Sequence, residues 1–258
     1  MIRFRFAKRI WPPLAVFAGF LLLWQAAVTA FATPNWMLPS PLQILREAGR
    51  GWPRLWTNTA ATLSTTLIGF AVGAAAGILI ACLLHRIPGV KAGFYPLLIL
   101  SQNIPTVALA PLLVIWFGFG LLPKLILITL VCFFPVSVAL LGGLARTDET
   151  MMDYFRMSGA TKRQIFFKLE FPHALPALFS GLKLSAAYSV MGAVVSEWMG
   201  AQKGIGVFMM NAKATYRSDR MFVAIFVVVF ISMAMFGLIS LLEKGLVRPA
   251  SARKETNS

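Results

Sequence analysis

From Thr147 to Lys183 the chain reads TDETMMDYFRMSGATKRQIFFKLEFPHALPALFSGLK. This polar insert, about two helices long, stands between two apolar runs, and its placement decides the fold. Thr147, followed by Asp148 and Glu149, suits a helix start: a capping hydroxyl, then acids near the positive end of the dipole. That helix is predicted to run to about Ser158, with Gly159 as the left-handed residue that closes it. Thr161 and Gln164 then form the T-x-x-Q capping box of a second helix, carrying Ile165, Phe166 and Leu169 and ending before Pro172. Two short helices hinged on a glycine make a rigid knob on a membrane surface.

Outside the insert, long apolar runs alternate with short connectors. The 258 residues are 58% hydrophobic and 13% charged, with a mean hydropathy of +0.76, far from a soluble domain. Several runs exceed the ~20 residues needed to cross ~30 Å of hydrocarbon. Six spans are expected, near 14–32, 59–84, 92–117, 125–144, 175–199 and 221–242, in one membrane domain covering the chain. The first could instead be a signal peptide, since Ala30-Phe31-Ala32 offers a cleavage-like site. Its charge-free stretch, Ile10 to Leu45, is long for a signal core, which favours a retained span. Cleavage would leave five spans and the same orientation for the knob. Between the first two spans an amphipathic segment, Leu42 to Gly49, reads as an interfacial helix on the far side. The second span is rich in Gly and Ala (GFAVGAAAGILIA), a spacing that lets helices approach closely. Cys82 and Cys132 both lie inside apolar runs and read as small buried hydrophobes, not as a disulfide pair. The terminal SARKETNS should be disordered.

The net charge of +15 raises nucleic acid as a partner, but the basic residues flank apolar spans, which points to anionic lipid headgroups instead. With six spans and an inner N-terminus, 16 of the 24 Lys and Arg fall in inner segments, so both termini and the knob are expected in the cytoplasm. No phosphate loop of the G-x-x-x-x-G-K-[ST] type is present, so the chain shows no means of cradling a nucleotide itself. His85 and His173 stand in no metal-ligand spacing, and no serine sits in a G-x-S-x-G elbow. No metal, cofactor or catalytic residue is expected. Glu197 is the one acid inside an expected span, whereas ion-coupled carriers often use such groups to bind and release their ion. The energy source is therefore expected to be external.

The knob carries a family resemblance. The membrane subunits of bacterial ABC importers have a cytoplasmic loop of pattern E-A-A-x3-G-x9-I-x-L-P, and the resemblance extends beyond the loop to most of this chain. Gly159 takes the glycine and Leu169-Glu170-Phe171-Pro172 the I-x-L-P, while Asp153-Tyr154-Phe155 stands where the triplet E-A-A is usual. LPSPLQI (Leu38 to Ile44), IPTVALAPLLVIWFGFG (Ile104 to Gly120), FFP (Phe133 to Pro135) and SEWMGAQKGIG (Ser196 to Gly206) resemble the nitrate/sulfonate/taurine-type permeases. That group also includes permeases for thiamine-precursor pyrimidines. The resemblance implies an all-α, type I importer permease of the bacterial inner membrane with a coupling helix on its cytoplasmic loop, 147–174. It implies that Asp153, Tyr154, Phe155, Ser158, Gly159, Ala160, Leu169, Phe171 and Pro172 engage a separate ABC ATPase subunit. It further implies a second permease copy, giving a homodimer, and an extracytoplasmic binding protein that delivers a small polar solute. A stand-alone secondary carrier, and less so a membrane enzyme, are the readings it competes with.

The third span is interrupted by SQNIP, Ser101 to Pro105, and again by Pro111. Uncharged amides at mid-membrane must hydrogen-bond to something, and Pro105 frees the Ser101 carbonyl as an acceptor. Gln102 and Asn103 either line a translocation path or clamp helices together. Glu197, beside Trp198 and near Gly200, Gly204 and Gly206, is expected close to the outer mouth of that path, at a mobile boundary.

Overall fold

The computed structural model describes residues 2–247, and these are helical almost throughout. The tail expected to be disordered lies outside the described residues. The helices are α1 (Ile2–Ala30), α2 (Pro41–Arg50), α3 (Trp52–Arg86), α4 (Pro88–Ser101), α5 (Thr106–Phe117) and α6 (Leu121–Leu144). After them come α7 (Glu149–Met157), α8 (Lys162–Ile165), α9 (Phe171–Glu197), α10 (Ile205–Ala214) and α11 (Ser218–Leu246). Among the described residues, five helices are long and apolar enough to cross a membrane, and the α4–α5 pair makes a sixth crossing if it counts as one span.

The core is a three-helix layer of α3, α6 and α9, with the most extensive contacts between α6 and α9 and between α3 and α6. Small residues make it possible. Gly69, Gly73 and Gly77 stand four apart on α3, so they fall on one face and lie against α6. A Cβ on Gly69 would come within 2.6 Å of Ile128, one on Gly73 within 2.7 Å of Cys132 and the Thr129 carbonyl, and one on Gly77 within 3.0 Å of the Phe133 carbonyl. On α9, a Cβ at Gly181 would stand 2.6 Å from Ala139 of α6. Backbones this close bring side chains within reach of the neighbouring ladder. Ser137 donates to the Gly77 carbonyl at 3.2 Å, and Ser185 to the Cys132 carbonyl at 3.0 Å. Cys82 and Cys132 are both free.

Opposite the knob, α2 and the start of α11 form a cap on the helix layer. Ser40 and Gln43 close a capping box at the start of α2, and Glu47 of α2 pairs with Arg217 at 3.0 Å and Arg220 at 2.8 Å. Trp24 of α1 packs on Phe222, with ring centroids 5.5 Å apart. Most of the described α1 surface is exposed, including Phe17, Leu22 and Leu23, an apolar exterior suited to lipid.

Three expectations are corrected in detail. The cap of α7 is Asp148, which accepts from the Thr150 N–H at 2.8 Å, because the Thr147 hydroxyl instead donates to the Leu144 carbonyl at 3.1 Å and closes α6. The second knob helix does not end before Pro172. It passes through one π-helical turn, Phe166–Glu170, into α9, making a continuous stretch from Lys162 to Glu197. Proline lacks the N–H that would otherwise continue the ladder, and a π turn absorbs the missing bond where a plain α-helix would break. The third apolar stretch is interrupted at SQNIP as expected, with α4 and α5 meeting at 96° and Ser101 to Pro105 at the corner. The Ser101 carbonyl is not left free there, since the Ile104 N–H reaches it at 3.3 Å.

Candidate functional site

Two features can do work: the knob at one end of the helix layer, and the clefts near and above the α4–α5 corner. In the knob, Gly159 has φ +75° and ends α7 as the sequence requires, and the Ala160 N–H returns to the Phe155 carbonyl at 3.0 Å. The Thr161–Gln164 capping box is present in both directions. Asp153 pairs with Arg156 at 3.0 Å, but both side chains are 60% exposed, so the pair contributes little. Ser158 is exposed and bonds only to the Tyr154 carbonyl, at 2.9 Å. No residue of α7 is buried, and Met151, Tyr154 and Met157 (88% exposed) stand clear of the protein with Phe167 of the π turn. Leu169 and Phe171 are half-buried, and Pro172 is exposed. Beneath the knob, Phe166 is buried, packs on Phe171 and lies under the Arg86 guanidinium at 5.4 Å. Glu170 faces His85 of α3 at 3.2 Å.

At the far end of α9, Glu197 is 3% exposed. One carboxylate oxygen accepts from the Thr62 hydroxyl at 2.7 Å and the other from the Gly206 N–H at 2.7 Å. Thr62 in turn accepts from the Ile205 N–H at 2.8 Å, and Asn58, one turn earlier on α3, accepts from the Gly204 N–H at 2.9 Å. Three successive backbone donors at the start of α10 are thus satisfied by Asn58, Thr62 and Glu197. A carboxylate is well suited to that place, because those donors are the positive end of the helix. Gly204 is required twice over: its φ is +139°, and a Cβ would fall 2.2 Å from the Glu197 carboxyl carbon. Of the three glycines near Glu197, Gly204 and Gly206 let the chain close tightly around it, while Gly200 lies against Phe119. Sequence reasoning had no route to Asn58 and Thr62.

Beside this latch is a half-open cleft of about 540 Å³ between α3, α5, α6 and the loop after α9, lined by Thr65, Lys124, Ser196, Gln202 and Lys203 among apolar groups. Glu197 lies behind this wall and is not among the lining residues. A second cleft, of about 410 Å³, opens at the α4–α5 corner, where Gln102 and Asn103 both line it with Thr106, Phe134 and Tyr188. The two share no residue but occupy neighbouring turns: Ala110 and Leu127 line the first, Leu109 and Leu130 the second. Asn103, in the turn after α4, donates back to the Ile99 carbonyl of α4 at 3.2 Å. Among the described residues, neither amide bridges to another helix, and no cluster of metal-binding side chains occurs.

Comparison with known proteins agrees with this architecture. Residues 73–248 match the family described as binding-protein-dependent transport system inner membrane component. The formylaminopyrimidine transport permease protein of Halalkalibacterium halodurans is 34% identical over 236 residues, 91% of this chain and 94% of that one. The riboflavin transport system permease protein of Chloroflexus aurantiacus is 34% identical over 246 residues, 92% of this chain and 91% of the relative. The taurine transport system permease protein of Escherichia coli is 27% identical over 89% of this chain and 86% of its own. Among solved structures, an inward-facing conformation of the MetNI methionine ABC transporter superposes with a TM-score of 0.66 at 20% identity, covering 76% of this chain and 99% of that one. That last likeness concerns the fold.

Proposed function

This chain belongs to the family of binding-protein-dependent inner membrane transport components, and on that premise we propose how it takes part in import. It is the multi-pass permease of an ABC importer and a non-catalytic membrane subunit. ATP hydrolysis and solute capture therefore fall to an ATPase and a binding protein. The stand-alone carrier weighed from the sequence has no further support.

In the proposed arrangement, the knob and both termini face the cytoplasm, and the knob seats in the ATPase through Tyr154, Met157 and Phe167. Around that contact, Asp153, Phe155, Ser158, Gly159, Ala160, Leu169, Phe171 and Pro172 set the shape and angle of the knob. One observation carries this reading. The most exposed apolar side chains of the polar insert project from a short helix with no buried residue, linked by a glycine hinge to a continuous 36-residue helix through the protein. Met157→Glu is expected to release the ATPase during purification while the permease still inserts. ATPase retained at the wild-type ratio would overturn the assignment of that face.

A homodimer is proposed, with a binding protein docking at the end that carries α2 and α10. The solute is proposed to be small and polar, passing Gln102 and Asn103, with Glu197 holding the wall of the outer cleft in place. Relatives at 34% identity named for a pyrimidine and a flavin favour a heterocycle over a sulfonate, whose taurine representative stands at 27%. Mass spectrometry of the ligand that co-purifies with the cognate binding protein decides between them.

A further inference from the structure

We propose that the cleft at the α4–α5 corner is a binding site for an uncharged, flat heteroaromatic ring and discriminates against anions. The inference rests on reading the chain as an importer permease and adds the chemical class that its inner cleft accepts. The site is defined by what lines it. Ser101 to Thr106 come from the corner, Leu130, Val131, Phe134 and Pro135 from α6, and Tyr188, Met191 and Gly192 from α9, and no lining residue carries a charge. A volume of about 410 Å³ falls within the range of small-molecule sites.

The polar groups are suited to a ring edge. Gln102 makes no side-chain hydrogen bond among the described residues, so its amide has both donor and acceptor to offer. Asn103, in the turn after α4, uses one side-chain N–H on the Ile99 carbonyl of α4 at 3.2 Å, which leaves its carbonyl and second N–H. The corner adds main-chain acceptors. Among the described residues the Gln102 and Asn103 carbonyls receive no backbone N–H: Pro105 has none to give, and the ladder restarts only at the Pro105 carbonyl, taken by Ala108 at 3.0 Å and Leu109 at 3.2 Å. Adjacent donors and acceptors of this kind match the ring nitrogens and exocyclic groups of a heteroaromatic base. Phe134 and Tyr188 supply the faces against which such a ring stacks, and Met191 adds a polarisable thioether.

An anion meets a different balance here. Leaving water for a cleft whose walls hold no cation costs a sulfonate or carboxylate far more than a neutral ring, and amide dipoles recover only part of that cost. Lys124 and Lys203 do not change this, because both line the outer cleft. An anion gathered in the outer cleft would have to give up those lysines to move one turn further along α5 and α6.

The test uses the permease–ATPase complex in detergent or nanodiscs, with a reporter thiol introduced as Thr106→Cys at the cleft wall. The native thiols give the background, one of them fully buried and the other half-buried. Labelling by a small methanethiosulfonate is followed with cytosine, uncharged at neutral pH, or with ethanesulfonate, at equal millimolar concentrations. Cytosine is expected to slow labelling and ethanesulfonate not to. Adding Tyr188→Ala should raise the cytosine concentration needed by roughly tenfold, and Tyr188→Phe, which keeps the ring, by much less. Equal protection by both probes, protection by ethanesulfonate alone, or no protection by either overturns the proposal. The importer reading is tested separately by whether the ATPase co-purifies with the same variants. Its absence would sink that reading, whereas its presence without cytosine protection sinks only the assignment of the cleft.

Discussion

Replacing Gly159 tests the coupling proposal with a cost that can be worked out in advance. A Cβ at this position meets nothing within 4 Å, so no substitution there clashes. All of the cost is backbone conformation: at φ +75° an L-residue loses ~1–2 kcal/mol, a β-branched one the most. Removing glycine also restricts the unfolded hinge, which returns roughly 0.4–1 kcal/mol. Alanine should therefore net from about zero to about 1.6 kcal/mol, valine towards the upper end or beyond, and asparagine, which tolerates the left-handed region, close to zero. Since α7 has no buried residue, the strain is relieved by swinging the knob, not by unfolding the helix layer. Docking must then restore the hinge, so ATPase affinity is expected to fall by roughly tenfold or more for valine and little for asparagine. The assay pairs membrane insertion with ATPase retention and uptake across Gly159→Asn, Gly159→Ala and Gly159→Val. Insertion should be constant while the other two fall in that order. Asparagine as defective as valine, or valine equal to wild type, would refute the reasoning.

The other expectations follow from contacts at known distances. Gly204→Ala would place its methyl 2.2 Å from the Glu197 carboxyl carbon, so the variant should lower thermal stability and expose the loop after α9 to protease, whereas Gly142→Ala, with open space around it, should not. Thr62→Val removes both the donor to Glu197 and the acceptor for Ile205, and should cost roughly 1–3 kcal/mol in unfolding titrations, against well under that for Thr57→Val at an exposed site. Gly73→Leu forces α3 away from Cys132 and Thr129 and should abolish a stable purified complex; recovery at wild-type yield would contradict the close α3–α6 contact. A cysteine at Ser158 should react only with reagents that reach the cytoplasm, and one at Gln202 with impermeant reagents from outside. The reverse pattern would invert the proposed orientation.

What was legible in the sequence is what depends on near neighbours. The Gly159 terminator and the Thr161–Gln164 box are set within a few residues, and both are present, while the α7 cap shifted by one residue because Leu144 competes for the Thr147 hydroxyl. The Gly/Ala pattern of the second span gave close approach, but only the structure shows that Gly69, Gly73 and Gly77 all face α6. Pro172 reads as a stop because a missing N–H is visible in sequence, whereas the π turn that absorbs it is not. SQNIP marked an interruption without revealing a 96° corner. The latch was least accessible: Thr62 and Glu197 are 135 residues apart, and a Thr one turn after an Asn on an apolar helix is not distinctive.

These particulars bear on how a push on the knob would travel. From Lys162 to Glu197 the chain is one helix of 36 residues, about 54 Å at 1.5 Å per residue. Near the knob its foot is tied to the end of α3 by Glu170 and His85 at 3.2 Å, and by Phe166 under Arg86. At the other end its last residue is tied back to α3 by Thr62 and Glu197 at 2.7 Å. α6 is held between them by contacts so close that a single Cβ would not fit at Gly73 or Gly181. A layer pinned at both ends and packed without slack resists bending, so on the proposed reading a force on α7 and α8 would move the whole layer. The α4–α5 corner is held to that layer by far fewer contacts, and the inner cleft lies between the two. Motion of the layer against the corner would open or close that cleft directly. The proposed ring site is therefore where a rigid-body stroke begun at the knob would be felt first.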